Sequence, residues 1–583
     1  MSRGVASRPT SDLPEAPRLW RTHPPEAGLV PDEDARLTEQ LALLPAAVAA
    51  AVRGAVDLPC TPAGQPSVRR HRTLYPLPLS PERVAEARTG CEGPPALVYR
   101  VGLGELVDAA LVDRPADAAP LMVWEPDPAV LRAALTARDW RQPLAEGRLV
   151  LVLGVDLLDH PALVGAPRWL HPVLTPHAPW VLDALRQGFD RPRAVVRDGG
   201  LLVHELAQRL GAAGLQPWVL DVDRLGQVRA THALRRLAPR VVLGVNHMSG
   251  LPELCARLGL PLVEWEIDPS IERLAARKGP VTTTTIATWR RRNLDAYAQA
   301  GFPRVVHLPL AADTTLRRPT PLAPGASEHP RAPVTFVGNS LVTMAASHGR
   351  AAQRILARFL TAQGDRTRAE VLVQALLQMQ RQRLATWLLP KLLAGRFPGL
   401  DAWLRREGEL AHPALLLGEV IGAEWRLNAV AACAGVGVEV WGDDGWQSAQ
   451  RPRVSLRGPA GARQQLTKIY ANAVINLDIS RAYQRDIVTL RVFDVLACGG
   501  FVLAEHSEEL ADCFVPGDEV AVWRGLSDLR AKVRHYLDHP DERRRIADRG
   551  RARVLRDHRL RDRVARLLEL STGAPTSTPG STP

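Results

Sequence analysis

The sequence predicts an α/β protein built from several parallel-sheet units. Short apolar segments of strand length alternate with helical segments along most of the chain, and this alternation is typical of parallel sheets. The chain has 583 residues, of which 46% are hydrophobic. It is therefore too long for a single core and suits roughly three domains. Several predicted strands end in Gly, Asp or Asn, at the edge where open α/β sheets bind ligands.

Composition shifts divide the chain into five predicted parts. A Pro- and Ala-rich extension comes first, and a disordered tail rich in Ser, Thr, Pro and Gly comes last. Within the extension, Asp34–Arg53 is predicted to be one helix. The parts are the extension (1–60), an accessory α/β unit (61–190), a second unit (191–328), a third unit (329–570) with a helical insertion at about 345–430, and the tail (571–583).

The accessory unit contains the segment VWEPDPAVLRAALTARDW, which places acids directly after a predicted strand. This segment resembles the N-terminal region of motility-accessory-factor-like proteins, which modify flagellin. The resemblance implies that the acid after the strand contacts a ribose. The alternative, a turn in which Asp127-Pro128 opens a helix, stays open. The nearby VGLGEL lacks complete G-x-G-x-x-G spacing.

In the second unit, polar residues follow two predicted strands. His247 comes shortly after the strand Val241–Val245, and Asp268 comes shortly after Leu262–Glu266. Because the carboxyl ends of parallel strands share one edge, both side chains are predicted to face the same cleft. Each is a candidate general base, with Glu266 as an alternative, although a lone histidine is more often structural.

Residues 474–506, VINLDISRAYQRDIVTLRVFDVLACGGFVLAEH, carry the strongest signal in the third unit. A buried strand, Val474–Ile479, is followed by an Arg-rich loop and a short helix, Thr489–Ala497. Amides at a helix N-terminus bind phosphate, and Arg485 and Arg491 lie close to this one in sequence. An ordinary strand–helix–strand unit with a glycine helix cap is the alternative.

The third unit resembles the C-terminal half of the CgeB-like, spore-protein-type glycosyltransferases of the GT-B group. The matching segments are NLDISR, TLRVFDVLACGGFVLAE, LADCFVPGDEVAVW and LRAKVRHYLDHPDERRRIADRGRARVLRDH. The resemblance implies two Rossmann-like lobes that face a cleft and a bacterial enzyme. The scattered cysteines and the lack of an apolar segment typical of a secretory signal near the start predict a cytoplasmic protein. Its donor would be a nucleoside-diphosphate sugar, and its acceptor a protein, spore coat, flagellum, cell envelope or other glycan.

The resemblance also implies roles for residues near this helix. The family's Glu-x7-Glu pair corresponds to Asp486 and Asp494, with Asp494 as the ribose ligand and Asp486 at the sugar or phosphate. Arg491 is the predicted phosphate clamp, and Arg485 and Lys468 are weaker candidates. The remaining predicted donor-binding residues are Gly338 and Asn339, at a strand-end turn, and Thr489, Gly499 and Gly500.

We predict no bound metal and no cofactor other than the donor substrate. The six cysteines lack C-x-x-C spacing, which argues against a zinc site. Asp221-Val222-Asp223 matches the D-x-D pattern of metal-dependent transferases but follows a strand of the second unit, and it is interpreted as a turn.

The formal charge of +12 is not interpreted as a nucleic-acid signal. The basic residues are almost all Arg and are mixed with acids, as in DERRRIADRGRARVLRDH, which indicates a solvated helix. A peripheral contact with a membrane stays open. No apolar run approaches the ~20 residues that a membrane span requires.

Two further functions remain open. One is a GT-B-fold binding or scaffold protein without turnover, because both acids of the expected Glu pair are Asp. The other is an enzyme that modifies the nucleotide sugar itself and uses no polymeric acceptor.

Overall fold

The computed structural model describes residues 31–572, except 71–72, 89–92, 113, 116, 200, 249, 269–280, 322–331, 385, 410 and 462. Residues 1–30 of the predicted extension and 573–583 of the predicted tail therefore lie outside the described residues. The chain divides into two structural units, Met1–Asp190 and Arg191–Pro583. In the part of the chain that is described, no helix combines the length and apolar character needed to cross a bilayer.

The first unit is a four-stranded parallel sheet with helices and a separate strand pair. Its core is formed by the apolar faces of the strands and helices, including Val98, Val123 and Leu131. Its elements are α1 (Pro31–Ala42), α2 (Ala46–Arg53), β1 (Ser67–Arg70), β2 (Thr73–Pro76), α3 (Pro81–Arg88), β3 (Leu97–Tyr99), α4 (Glu105–Val112), β4 (Leu121–Glu125), α5 (Pro128–Ala137), α6 (Arg141–Ala145), β5 (Leu149–Leu153), β6 (Arg168–Leu170) and α7 (Pro179–Gln187).

The acid after the second strand of this sheet is not open to a ribose. The sheet has the order β5-β4-β3-β6, with β1 and β2 forming a separate antiparallel pair. Glu125, at the end of β4, is fully buried and pairs with Arg100 at 3.0 Å. It also accepts the backbone amides of Val101 and Asp127. Asp127 caps α5 through Ala129, which supports the interpretation of this segment as a turn that opens a helix.

The second structural unit, Arg191–Pro583, contains two lobes, each built on a six-stranded parallel sheet. The N-terminal and C-terminal lobes correspond to the second and third units predicted from the sequence. The sheet of the N-terminal lobe has the order β12-β11-β10-β9-β7-β8. The elements of this lobe are β7 (Arg193–Arg197), α8 (Val203–Ala212), β8 (Gln216–Leu220), α9 (Val222–Leu237), β9 (Val241–Val245), α10 (Leu251–Leu258), β10 (Leu262–Glu266), β11 (Thr284–Thr288), α11 (Leu294–Gln299) and β12 (Arg304–His307).

The sheet of the C-terminal lobe has the order β15-β14-β13-β16-β17-β18. Five helices are inserted between its first two strands. The elements are β13 (Val334–Val337), α12 (Val342–Ala362), α13 (Ala369–Arg381), α14 (Leu389–Arg396), α15 (Leu400–Arg406), α16 (Pro413–Cys433), β14 (Val438–Trp441), β15 (Val454–Leu456), α17 (Arg463–Asn472), β16 (Ile475–Leu477), α18 (Leu490–Ala497), β17 (Val502–Glu505), α19 (Leu510–Cys513), β18 (Ala521–Trp523), α20 (Gly525–Asp538), α21 (Pro540–Asp557) and α22 (Leu560–Ser571).

These strand orders establish the fold class. Counted within its lobe, the C-terminal sheet runs 3-2-1-4-5-6, the order of the Rossmann fold. The N-terminal sheet runs 2-1-3-4-5-6 and likewise changes direction beside its first strand. Strands β9, β10 and β11 are buried at every position, as expected where both faces of a parallel sheet are covered. The predicted pair of Rossmann-like parallel-sheet lobes is confirmed.

The chain crosses between the two lobes at two adjacent segments. Ala312 lies where the chain leaves the N-terminal lobe, and His558 and Leu560 lie where the chain returns to it. The backbone of Ala312 forms hydrogen bonds with the backbone of both residues. Helix α22 then packs against the N-terminal lobe, and Val564 and Leu567 join an apolar core shared by both lobes. The two crossings therefore hold the lobes as one body.

His558 makes this crossing sensitive to acid. Its Nε2 donates to the Cys513 carbonyl oxygen at 3.0 Å, and its Nδ1 accepts from Arg563 at 3.0 Å. Burial, opposed by the bond to Cys513 and reinforced by Arg563 and Arg553, lowers the pKa of His558 from 6.5 to about 4. The folded protein therefore holds this ring neutral in mildly acidic solution.

We expect the free energy of unfolding to fall as the pH is lowered, and to fall less in the variant His558→Gln. Above pH 6.5 the ring is neutral in both states, whereas between pH 6.5 and about 4 only the unfolded chain takes up the proton. The titration of His558 should therefore lower the free energy of unfolding by about 2–3 kcal/mol as the pH decreases through this range. Denaturant unfolding at pH 7 and pH 4.5 should show a smaller loss in the variant. Equal losses would contradict the assignment.

Candidate functional site

The carboxyl edges of the sheets of the N-terminal and C-terminal lobes face each other. Arg290, which follows β11, donates to the Tyr483 carbonyl oxygen and to Asp486 Oδ1 at 2.9 Å, and both acceptors follow β16. His307 Nε2, at the end of β12, lies 3.1 Å from Glu509 Oε2 in the C-terminal lobe. Ligands of parallel sheets bind at such edges, so the crevice between the lobes is the candidate site.

Three arginines of the C-terminal lobe approach the point where its strand order reverses, between β13 and β16. Arg491, in the first turn of α18, donates from Nε to the Val337 carbonyl oxygen at 3.0 Å and from Nη1 to Asp478 Oδ1 at 2.6 Å. Arg426, on α16, donates to the carbonyl oxygens of Asn339 at 2.5 Å and Ile479 at 3.3 Å. Both side chains therefore bridge the ends of β13 and β16. Arg481, the third member of this arginine cluster, lies in the loop after β16.

Arg426 is the member of the arginine cluster whose positive charge is most strongly disfavoured by its surroundings. Burial, together with the charges of Arg481 and Arg491, lowers the pKa of Arg426 to about 9. Two carboxylates offset part of this charge, Asp478 beside Arg491 and Glu419, whose Oε1 lies 3.3 Å from Arg481 Nε. An anion bound between these guanidinium groups would relieve their repulsion, so the arrangement favours a phosphate-bearing ligand.

Gly338 leaves room for the arginine cluster. A Cβ at this position would lie 2.9 Å from Arg491 Nη2 and 2.9 Å from the Phe336 ring. The Phe336 ring in turn packs against the guanidinium groups of Arg491 and Arg426. The turn continues through Asn339 to Leu341, which adopts a left-handed conformation with φ of 69°. The predicted turn residues Gly338 and Asn339 thus lie beside the predicted clamp Arg491.

Thr489 is the N-cap residue of α18 but does not cap it through its side chain. The hydroxyl instead donates to Asp478 Oδ1 at 2.6 Å, the oxygen that also accepts from Arg491. Asp478 therefore orients both the helix start and the arginine, a role that the sequence did not indicate. The donor-binding role of Thr489 stays a prediction.

Asp494 lies one turn beyond Arg491 on α18 and is buried. Its Oδ2 accepts from Arg317 Nε at 2.9 Å, and Arg317 also donates to Thr467 Oγ1 at 3.0 Å. The charge of Glu205, in the N-terminal lobe, also acts on Asp494. The carboxylate thus lies near the N-terminal lobe but has a protein partner, and its assignment to a ribose stays a prediction.

Asp486 is held by the N-terminal lobe. Its Oδ1 accepts from the fully buried Arg290, and its Oδ2 lies 2.8 Å from Arg292 Nε. Both carboxylate oxygens are therefore engaged by cations of the opposite lobe. These contacts join the two lobes at Asp486, and its predicted catalytic role at the sugar or phosphate stays a prediction.

Gly499 and Gly500 lie away from the arginine cluster. They follow α18 and precede β17, so they belong to the amino edge of the sheet, whereas Arg491 lies at the carboxyl edge. A Cβ at position 500 would lie 2.2 Å from the Tyr470 carbonyl oxygen, and one at position 499 would lie 3.3 Å from Pro319. Close packing explains Gly500, and a left-handed backbone conformation with φ of 77° explains Gly499. The structure does not bring this pair to the predicted donor site.

Arg485 and Lys468, the weaker phosphate candidates, are not part of the arginine cluster. Arg485 pairs with the buried Glu505 and stacks on Trp425. Lys468 lies half-buried in α17. Asp221 of the D-x-D match caps α9 by accepting the amide of Arg224, as the interpretation as a turn requires.

His247 is placed in an apolar pocket of the N-terminal lobe. Its Nδ1 lies 2.6 Å from Oε2 of the fully buried Glu264, and its side chain is only 6% exposed. The rings of Phe302 and Tyr297 pack edge-on against it. Burial lowers the pKa of His247, but the charge and hydrogen bond of Glu264 outweigh burial and raise it overall. This environment favours a structural role.

Asp268 is the better candidate for a base. Its Oδ2 accepts from Asn246 Nδ2 at 2.9 Å, and Asn246 Oδ1 in turn accepts the amide of Asp268. The half-buried carboxylate acts electrostatically on Arg481 and Tyr483 across the crevice. Glu266, the alternative, is fully buried and accepts from Tyr297 at 2.8 Å, which leaves Asp268 as the carboxylate that faces the opposite lobe.

Residues 423–569 match the family model described as glycosyl transferase-like. The matched segment lies within the C-terminal lobe and covers most of it. The match begins on α16, so it includes Arg426 as well as Arg481, Arg491 and Asp494. The whole arginine cluster therefore lies within the matched segment. No curated protein matches the sequence.

Several solved structures are similar to this chain. A glycosyltransferase from Rickettsia africae is 9% identical over 66% of this chain and 90% of its own, with a TM-score of 0.40. Sucrose-phosphate synthase from Thermosynechococcus elongatus is 11% identical over 66% and 99%, with a TM-score of 0.40. Anabaena Alr3699/HepE in complex with UDP and glucose is 10% identical over 66% and 98%, with a TM-score of 0.37.

The buried ion pair between Asp494 and Arg317 is predicted to stabilise the C-terminal lobe. We expect Asp494→Ala to lower the free energy of unfolding by about 3–5 kcal/mol, because it leaves the buried Arg317 without its counter-charge. Removing both charges, in Asp494→Leu with Arg317→Met, should recover most of this loss. Denaturant unfolding measures both effects.

The matched control is Glu569→Ala, which breaks the surface pair with Arg566 and should cost less than about 1 kcal/mol. An Asp494→Ala variant as stable as this control would show that the ion pair does not stabilise the lobe. Nucleotide affinity in the double variant then tests the ribose assignment separately from folding.

Proposed function

We propose that the protein is a glycosyltransferase that takes a sugar from a nucleoside-diphosphate donor bound in the crevice between its two lobes. The observation that carries the proposal is the arginine cluster of Arg426, Arg481 and Arg491. It lies at the strand-order reversal of a Rossmann sheet, inside the segment that matches the glycosyl transferase-like model. Such a reversal is where open α/β sheets bind phosphate-bearing ligands.

In this proposal the arginine cluster stabilises the diphosphate as it leaves the sugar. Negative charge grows on the leaving oxygen during transfer, and guanidinium groups fixed beforehand stabilise it without rearranging. Arg491 and Arg426 are fixed in this way by the carbonyl oxygens of Val337 and Asn339. We further propose that these side chains serve in place of a catalytic metal ion.

Asp268 is the proposed base that removes the proton from the acceptor hydroxyl. It follows β10 at the carboxyl edge of the N-terminal lobe, opposite Arg481 and Tyr483. Its bonds with Asn246 fix one carboxylate oxygen. The acceptor class, a protein, spore-coat, flagellar or cell-envelope group, is proposed on the resemblance of the third unit alone.

A binding protein without turnover is the second candidate. The observation that favours it is the pairing of both predicted acids with arginines, Asp486 with Arg290 and Asp494 with Arg317. Incubation of the full chain with UDP- and GDP-sugars separates the two. Release of nucleoside diphosphate and transfer of sugar supports the enzyme, whereas binding without release supports the binding protein.

The arginine cluster gives a direct binding prediction. Arg491→Lys keeps the charge but loses the forked contact to Val337 and Asp478, and we expect about tenfold weaker binding of UDP or GDP. Arg426→Lys should weaken binding similarly. Titration calorimetry measures both, with Arg545→Lys, an exposed residue of α21, as the control. Affinities equal to that of the control would place the nucleotide elsewhere.

The base assignment is tested by kinetics. We expect Asp268→Asn to lower kcat by about 10²–10⁴ while nucleotide affinity changes little, because the carboxylate acts on the acceptor. His247→Gln should reduce stability more than turnover, given its buried pairing with Glu264. The opposite result, a large loss of kcat only in His247→Gln, would move the base to His247.

A further inference from the structure

Three potential metal ligands converge where α20 meets α21. His535 lies in the last turn of α20, His539 joins the two helices, and Glu542 lies in the first turn of α21. One ligand atom from each lies within 4.8 Å of the other two. His535 Nε2 is 2.8 Å from Glu542 Oε2, and the two imidazole rings stack with centroids 4.1 Å apart.

A hydrogen bond to the backbone sets the tautomer of neutral His539. Its Nδ1 lies 2.6 Å from the carbonyl oxygen of His535, and a carbonyl can only accept. The proton of a neutral ring is therefore on Nδ1, which leaves the lone pair of Nε2 for a ligand. Imidazoles that bind metals characteristically donate their other N–H to a carbonyl or carboxylate in this manner.

We propose that His535, His539 and Glu542 form a site for a divalent transition-metal ion of the Zn²⁺ or Ni²⁺ type. Two imidazoles and one carboxylate suit such ions, whereas Mg²⁺ and Ca²⁺ prefer oxygen ligands alone. Both histidines are exposed and Glu542 is half-buried, so an ion reaches them from solvent. Three protein ligands also leave coordination positions for water.

The site is separate from the donor crevice. Helix α20 starts just after β18, at the carboxyl edge of the sheet, and packs along β16 and β18. Its last turn therefore lies toward the amino edge, away from Arg491. An ion there would join the end of α20 to the start of α21 and stabilise the C-terminal lobe. The sequence-based expectation of no metal site is revised accordingly, without any change to the proposed transfer chemistry.

The test uses the full chain after removal of metals with a chelator. Titration calorimetry with NiCl₂ and with ZnCl₂ should show one equivalent bound by the wild type. We expect His539→Asn and Glu542→Gln each to weaken this binding at least about tenfold. Saturating Ni²⁺ should raise the unfolding temperature of the wild type but not of either variant.

The matched control is His412→Asn. His412 Nε2 also lies 3.0 Å from a carboxylate oxygen, that of Asp401, but among the described residues no third ligand joins this pair. This variant should bind Ni²⁺ like the wild type. Unfolding temperatures measured without metal show that each variant is folded. If His539→Asn, Glu542→Gln and His412→Asn all bind Ni²⁺ as the wild type does, the site is overturned.

Discussion

The ion pair between Arg290 and Asp486 fixes the geometry on which the candidate site depends. It joins the carboxyl edges of the two sheets, because Arg290 follows β11 in one lobe and Asp486 follows β16 in the other. Arg290 is fully buried, and an unpaired guanidinium there would cost several kcal/mol. Separating the lobes at this point would therefore either expose Arg290 to solvent or leave its charge buried without a partner. The crevice is held between this contact and the two chain crossings near Ala312 and His558.

Within the crevice, opposite lobes supply opposite charges. The C-terminal lobe presents Arg426, Arg481 and Arg491, whereas the N-terminal lobe presents Asp268. In the proposed reaction, the arginines stabilise the leaving diphosphate and Asp268 removes the proton from the acceptor hydroxyl. Asp478 and Asn246 orient Arg491 and Asp268, respectively, by hydrogen bonds.

The sequence predicted the fold class and many elements because these depend on local patterns. Strands β9 and β10 have the predicted bounds, since their apolar or β-prone runs end at polar residues. β11 was not predicted, because its sequence, TTIAT, has no apolar run. The helix predicted over Asp34–Arg53 is two helices, and the second begins after Pro45, which cannot continue a helix.

Site residues were harder to predict because their roles depend on distant partners. Asp486 looked like a ligand-binding acid, but its partner Arg290 lies 196 residues away. Arg426 was missed because it lies in the helical insertion, where its neighbours Trp425 and Leu427 indicate only packing. Its single available signal was a buried-face arginine in an otherwise apolar helix. Arg491 could be singled out from the sequence because it lies one residue inside the N-terminus of a short helix after a buried strand, and its role as phosphate clamp stays a prediction.

The most direct measurement is a crystal structure of the full chain with UDP or GDP bound. The diphosphate should lie between Arg426 and Arg491, beside the backbone of Gly338 and within hydrogen-bonding distance of both guanidinium groups. Density for the nucleotide in the first unit, or anywhere outside the crevice between the two six-stranded sheets, would contradict the account.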